Sequence, residues 1–167
     1  MATPIHPETR IGHVHLTVSN LERAVKFYRE VLGFEVMQYY GDSAAFLSAG
    51  GYHHHLALNT WAGEGALPPP RGRTGLYHFA VLYPNRKELA RAFKRLLDHG
   101  VTIDGASDHG VSESIYFRDP DGNGVELYRD RPWEEWPYVN GKLNMVTEPL
   151  DLDELLRELE DSTQAEA

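Results

Sequence analysis

The stretch His13-Val14-His15-Leu16-Thr17-Val18-Ser19-Asn20-Leu21-Glu22-Arg23-Ala24 decides the fold. Sixty-five positions on, the chain repeats its plan in His78-Phe79-Ala80-Val81-Leu82-Tyr83-Pro84-Asn85-Arg86-Lys87-Glu88-Leu89. In the first copy His13, His15 and Thr17 alternate with Val14, Leu16 and Val18, the period of a strand with one polar and one apolar face. Sliding one copy onto the other sets His13 on His78 and Asn20 on Asn85 without a gap, which we read as an internal duplication.

Outward from the first copy, Ser19 with Glu22 makes a capping box. Leu21, Ala24, Val25, Tyr28, Val31 and Leu32 then recur at helical spacing until Gly33 supplies a left-handed stop. Strands are predicted over Phe34 to Tyr40, Ala44 to Ala49 and His53 to Thr60, divided by Gly41-Asp42 and Gly50-Gly51. That is a βαβββ unit. The three consecutive prolines and three glycines within Ala62 to Arg73 read as a linker. The second copy then predicts a strand over Leu76 to Leu82. A helix follows, capped by Asn85 and striped by Leu89, Ala92, Phe93, Leu96 and Leu97 as far as Gly100. Further strands are predicted near Val101, over Ser112 to Phe117 and over Val125 to Tyr128.

The expectation is an α+β fold of paired βαβββ units. Residues 1–10 form an arm and residues 11–132 one module, divided into a first unit (11–61), the linker (62–73) and a second unit (74–132). Residues 133–167 form a C-terminal extension, aromatic and irregular over Trp133 to Asn144, with a short acidic amphipathic helix over Leu150 to Glu160 that packs on an edge, mediates dimer contacts or is mobile.

Composition removes several classes of function. With 25 acidic against 16 basic residues the net charge is -9 and no basic stripe appears, so nucleic acid is not expected as a partner. The 167 residues contain no cysteine, so any transition metal must be held by nitrogen and oxygen. Residues 1–10 lack an apolar core of the signal-peptide kind and no stretch approaches a membrane span, so no membrane is expected and the expected location is cytoplasmic.

Three potential metal ligands occupy strand positions of the repeat: His13 and His78 on the two first strands and Glu126 on the last. Two imidazoles and a carboxylate on one face of a metal are the facial triad of non-haem Fe(II) oxygenases. Taken singly they read as well as half-buried strand histidines and a surface glutamate. Likewise Asp119-Pro120-Asp121-Gly122 is a strong turn whatever follows it, and the run His53-His54-His55 has only one strand face that can line a pocket.

These residues resemble a known superfamily. His13-x-x-Leu16-x-Val18, Phe27-Tyr28 with Leu32-Gly33, and Asp119 to Asn123 ahead of Glu126 are similar to the glyoxalase, bleomycin-resistance and extradiol dioxygenase (vicinal oxygen chelate) superfamily, over residues 11 to about 132. Tyr52 to His55, Gly75 to His78, Gly105 to His109 and Asp119 to Pro132 look most like its catechol 2,3-dioxygenase branch.

The resemblance implies an Fe(II) centre, Mn(II) being possible with the same donors, held by His13, His78 and Glu126. It implies a catechol and O2 as substrates. His54 is favoured as the acid-base residue by the match to His-His-x-Leu-Ala, with His109 and Tyr116 as hydrogen-bond donors to charged oxygens. Many extradiol enzymes have two modules where one is expected here, so a homodimer or higher homo-oligomer is expected to supply the missing walls. Three rivals are open: a glyoxalase-like isomerase, a metal-dependent thiol transferase, and a metal-free resistance protein that sequesters an aromatic drug. The isomerase would want a fourth carboxylate ligand, and none lies between Asp42 and Glu64; the transferase would want a Lys/Arg cluster, and the pocket strands carry His and Tyr instead.

Overall fold

In the computed structural model, which describes residues 2–160, the chain has an α+β architecture. Its contacts gather it into two compact units: residues up to 29 together with 33–67, and residues from 68 onward together with 30–32.

The first unit runs β1 (Val14–Thr17), α1 (Leu21–Lys26) with a wider π turn over Phe27–Val31, β2 (Glu35–Tyr40), β3 (Ala44–Ser48) and β4 (Leu56–Asn59). Its sheet has the order β1-β4-β3-β2, with β1 parallel to β4 and the other pairs antiparallel. The inner strands β3 and β4 are buried on both faces, save half-buried Phe46, which suits their near-continuous apolar runs. The edge strand β2 is largely exposed.

Four sequence expectations are corrected here. The cap of α1 is Asn20, whose extended backbone lets its side-chain oxygen accept the Arg23 N–H at 2.8 Å, while Ser19 Oγ accepts instead from the Arg23 guanidinium. The regular helix stops at Lys26, six residues before the predicted end, because the turn widens after it; Phe34 N–H bonds back to the Tyr28 carbonyl before Gly33's left-handed φ of 86° is left behind. His53, His54 and His55 lie in a turn ahead of β4, not in a strand. There the His55 ring Nδ1 accepts the Ala49 N–H at 3.2 Å, a local bond that takes the place of ladder pairing. His13 likewise sits one residue before β1, since pairing with the β4 chain begins at the Val14 N–H to His55 carbonyl bond.

The second unit repeats the plan: β5 (Phe79–Tyr83), α2 (Arg86–Asp98), β6 (Ile103–Asp108), β7 (Ser112–Arg118) and β8 (Gly124–Asp130). Its strands lie in the order β6-β7-β8-β5 with β5 parallel to β8, the arrangement of β2-β3-β4-β1 in the first unit. The duplication read from sequence is therefore a duplication of topology. Asn85 caps α2 by accepting the Glu88 N–H at 2.9 Å, and Gly100, at φ 67°, ends it. The next strand starts at Ile103 and not near Val101, because the Gly100 and Val101 N–H groups are still bonded to Leu97 and Leu96 at the helix end.

The extension is more ordered than its sequence suggested. A short 3-10 turn (Trp133–Glu135) precedes a hairpin of β9 (Tyr138–Val139) and β10 (Lys142–Leu143). Its two central residues, Asn140 and Gly141, have φ of 51° and 74°, the signature of a type I′ turn. Then β11 (Glu148–Pro149) pairs with β6, and α3 (Leu152–Arg157) buries Leu155 completely. Beneath it the Glu113 carboxylate, almost fully buried on β7, is met by Arg129 from the facing position of β8 and by Arg86 at the start of α2, whose guanidinium also binds Glu158 at 2.7 Å. No helix among the described residues is long and apolar enough to cross a membrane.

Candidate metal centre

Strand β8 carries Glu126, and a glycine sets how closely β8 can lie to the residues that lead into β5. A Cβ on Gly124 would stand 2.3 Å from the Tyr77 carbonyl oxygen and 3.1 Å from His78 Cβ, so only glycine permits this approach. The result is a His78 Nε2 to Glu126 Oε2 separation of 2.9 Å.

β7 adds the next two groups. Tyr116 pairs directly with Glu126 across the ladder, and its ring centroid lies 5.5 Å from that of His78. Its hydroxyl is 2.7 Å from His109 Nε2, in the turn between β6 and β7. Burial first, and the Glu126 charge in addition, push the Tyr116 phenol above its usual value, so it is a neutral hydroxyl near neutral pH. One sheet thus brings His78, Glu126, Tyr116 and His109 together.

The first unit gathers imidazoles. The His13 and His54 rings lie 4.3 Å apart, and His54 also packs against Phe46 at 5.2 Å. Of the three consecutive histidines His54 is half-buried and the other two exposed, and His53 Nδ1 is 2.7 Å from His54 Nδ1, so one ring donates and the other accepts. Partial burial, then the charges of His13, His53, His15 and His55, hold the His54 imidazole below its ordinary value.

The register locates the counterpart of Glu126. Val14 pairs with Leu56 in the first unit as Phe79 pairs with Val125 in the second, so Ala57 stands where Glu126 stands. The first unit therefore offers no carboxylate at the equivalent site.

The donors fit a hard or borderline transition metal. His78 and Glu126 are one nitrogen and one oxygen donor, and 2.9 Å is close to the ~3 Å between adjacent ligands of an octahedral ion with bonds of about 2.1 Å. Among the described residues no three His, Cys, Asp or Glu side chains form a group that could hold a metal. The pairs brought together are His78 with Glu126 and His13 with His54.

Sequence reading missed Gly124, although a glycine inside a strand pattern two residues before a candidate ligand is a signal for close backbone approach. It also missed Val146, whose backbone carbonyl lies 2.9 Å from His109 Nδ1. A main-chain carbonyl leaves no mark on residue identity.

Two βαβββ repeats, with a histidine before each first strand and a glutamate on the last, define the class of α+β protein to which the chain belongs. The family model of the Glyoxalase/Bleomycin resistance protein/Dioxygenase superfamily matches residues 10–127, and the chain belongs to that superfamily. It is 46% identical to the catechol-2,3-dioxygenase of Bacillus subtilis (strain 168) over 160 residues, 95% of this chain and 55% of that protein. It is 34% identical to biphenyl-2,3-diol 1,2-dioxygenase 3 of Rhodococcus globerulus over 136 residues, 80% of this chain and 71% of that one. The chain thus spans about half the length of the first relative. Among solved structures, a glyoxalase/dioxygenase from Nostoc punctiforme superposes with a TM-score of 0.63 at 21% identity, over 79% of this chain and 99% of that one, a likeness of fold.

Proposed function

We propose that this chain is an extradiol dioxygenase that opens catecholic rings with O2, using Fe(II) held by His13, His78 and Glu126. The observation that carries the reading is the grouping on one sheet of His78, Glu126, Tyr116 and His109. The 46% identity to a catechol-2,3-dioxygenase supports the reaction class.

The bound metal would bring catechol and O2 together and let electron density pass between them. The protein's own groups do the rest. His54, an imidazole with a ring neighbour in His13, takes the proton that the diol loses on binding and returns it to the product. Tyr116, its hydroxyl held 2.7 Å from His109 Nε2, orients the diol through a fixed polar atom. The carbon–carbon bond beside the diol breaks and both atoms of O2 enter the product, one in a new carboxylate and one in a new aldehyde, while the second diol oxygen stays as an enol hydroxyl. Ala57 at the position equivalent to Glu126 weighs against the glyoxalase-like alternative, which would want a further carboxylate on the first unit.

Metal binding tests the assignment. Anaerobic equilibrium dialysis should find one Fe(II) per chain, with Mn(II) competing, and binding weakened in each of His13→Ala, His78→Ala and Glu126→Ala. Metal retained in all three variants would remove the ligand assignment.

A further inference from the structure

We infer that residues 144–149 form a positioning strap that fixes His109 as its Nδ1–H tautomer and so turns the Tyr116 hydroxyl proton onto His109 Nε2. The two ring nitrogens of a neutral imidazole share one proton, and the partner of one dictates the role of the other. His109 Nδ1 lies 2.9 Å from the Val146 carbonyl oxygen, with Thr147 Oγ1 at 3.3 Å. A carbonyl can only accept, so Nδ1 must carry the proton. Nε2 is then the acceptor, and at 2.7 Å its partner, the Tyr116 O–H, is the donor.

The strap is built in at several points. The Val146 N–H returns a bond to the His109 carbonyl at 3.1 Å, so residues 109 and 146 are tied both by backbone and by side chain. β11 pairs Glu148 with Asp108 and Pro149 with Ser107, extending the tie along β6. On the inner side a Cβ at Gly110, whose φ is 74°, would meet Pro137 Cγ at 2.9 Å and Val146 Cγ2 at 3.3 Å, so the extension lies directly against the turn that bears His109. Beyond the strap, α3 is anchored by buried Leu155 and by the Arg86 to Glu158 bond.

The consequence for chemistry rests on the dioxygenase reading. With its proton turned onto His109 and away from the Glu126 carboxylate, the other acceptor that the phenol reaches, Tyr116 presents oxygen lone pairs and accepts from a substrate hydroxyl. The C-terminal segment, bonded to His109 through Val146, would thereby set the polarity of the pocket wall.

Long-range 1H–15N NMR of the full chain without paramagnetic metal reads the tautomer directly, with the His109 signals assigned from a His109→Gln variant. The expected result is a single Nδ1–H form, with both tautomers appearing in Val146→Pro, which removes the 146 N–H tie, or in Gly110→Ala, which pushes the strap outward. In those variants kcat for catechol should fall about tenfold at unchanged metal content. An Nε2–H form in the unmodified chain, or a mixture unaltered by either substitution, would overturn the strap. Finding the Nδ1–H form in a chain that leaves catechols untouched would support the strap and sink the dioxygenase reading; catechol cleavage with His109 in the Nε2–H form would do the reverse.

Discussion

The two units share one topology but differ in what they bury. In the first, the buried polar side chains are Ser48 and Asn59, both neutral; in the second they include Glu113, Asp119 and Arg129. The first presents clustered imidazoles, whereas the second presents an imidazole against a carboxylate, with a tyrosine and a second histidine beside them. A duplicated backbone has kept its strand order while its chemistry diverged, the carboxylate being confined to the second copy. The charged interior of that copy also ties the C-terminal extension to it, through the chain of contacts from Arg129 and Glu113 to Arg86 and Glu158.

The contrast can be broken most forcibly at Glu113. Glu113→Ala leaves Arg129 buried without its partner and should cost about 3–5 kcal/mol in urea unfolding. Asn59→Ala in the first unit loses two neutral bonds, to His15 and to the Trp61 N–H, and should cost only about 1–2 kcal/mol. Equal costs would mean that the charged interior is not what distinguishes the second unit.

A second contrast lies in where each copy places its glycine. The repeat sets Gly12 against Tyr77 and His55 against Gly124, so the first unit has glycine just ahead of its first strand and the second at the start of its last. Gly124→Ala must displace a backbone carbonyl and should cost about 1–3 kcal/mol while weakening metal binding. Gly12→Ala, whose nearest neighbour would be Tyr52 Oη at 3.8 Å, should stay within about 0.5 kcal/mol. Calorimetry on the pair checks this.

The smallest expected effect is an acid limb of stability. Burial alone would raise the Asp108 carboxyl, but hydrogen bonds from Arg131 and the Gly110 N–H outweigh it and hold Asp108 below the ordinary value of 3.8. Its contribution is therefore present above about pH 3.8 and is lost as pH falls through the depressed value. Arg131→Gln should flatten that limb of an unfolding-versus-pH curve, and an unchanged limb would remove Asp108 as its source.

The sequence announced the repeat because its signals are local. Asn85 with Glu88, the apolar stripe of α2 and the stop at Gly100 all act within a few residues of one another. Where two local signals competed it misled. Ser19 and Asn20 are both good caps, and only the extended backbone of Asn20 decides between them. The run His53 to His55 has the spacing of a strand, yet the His55 ring bonds the backbone at Ala49 and holds a turn. Asn140-Gly141 is a strong two-residue hairpin signal, masked in the sequence by the irregular aromatics around it. The Glu113 network joins residues as far apart as 86 and 158, and the hold of Val146 on His109 runs through a main-chain atom, so neither could be read along the chain. His78 and Glu126 stand out by their strand positions in the repeat and His109 and Tyr116 by the family pattern; Glu126 and Tyr116 face each other on β8 and β7, with His78 just ahead of β5 and His109 in the turn before β7.

The reaction itself is read by following oxygen and catechol together in the Fe(II)-loaded chain. One O2 should be consumed per catechol with a yellow ring-opened product, both lost in Glu126→Gln. Metal-loaded chain that leaves catechol intact, or oxygen uptake that persists in that variant, would contradict it.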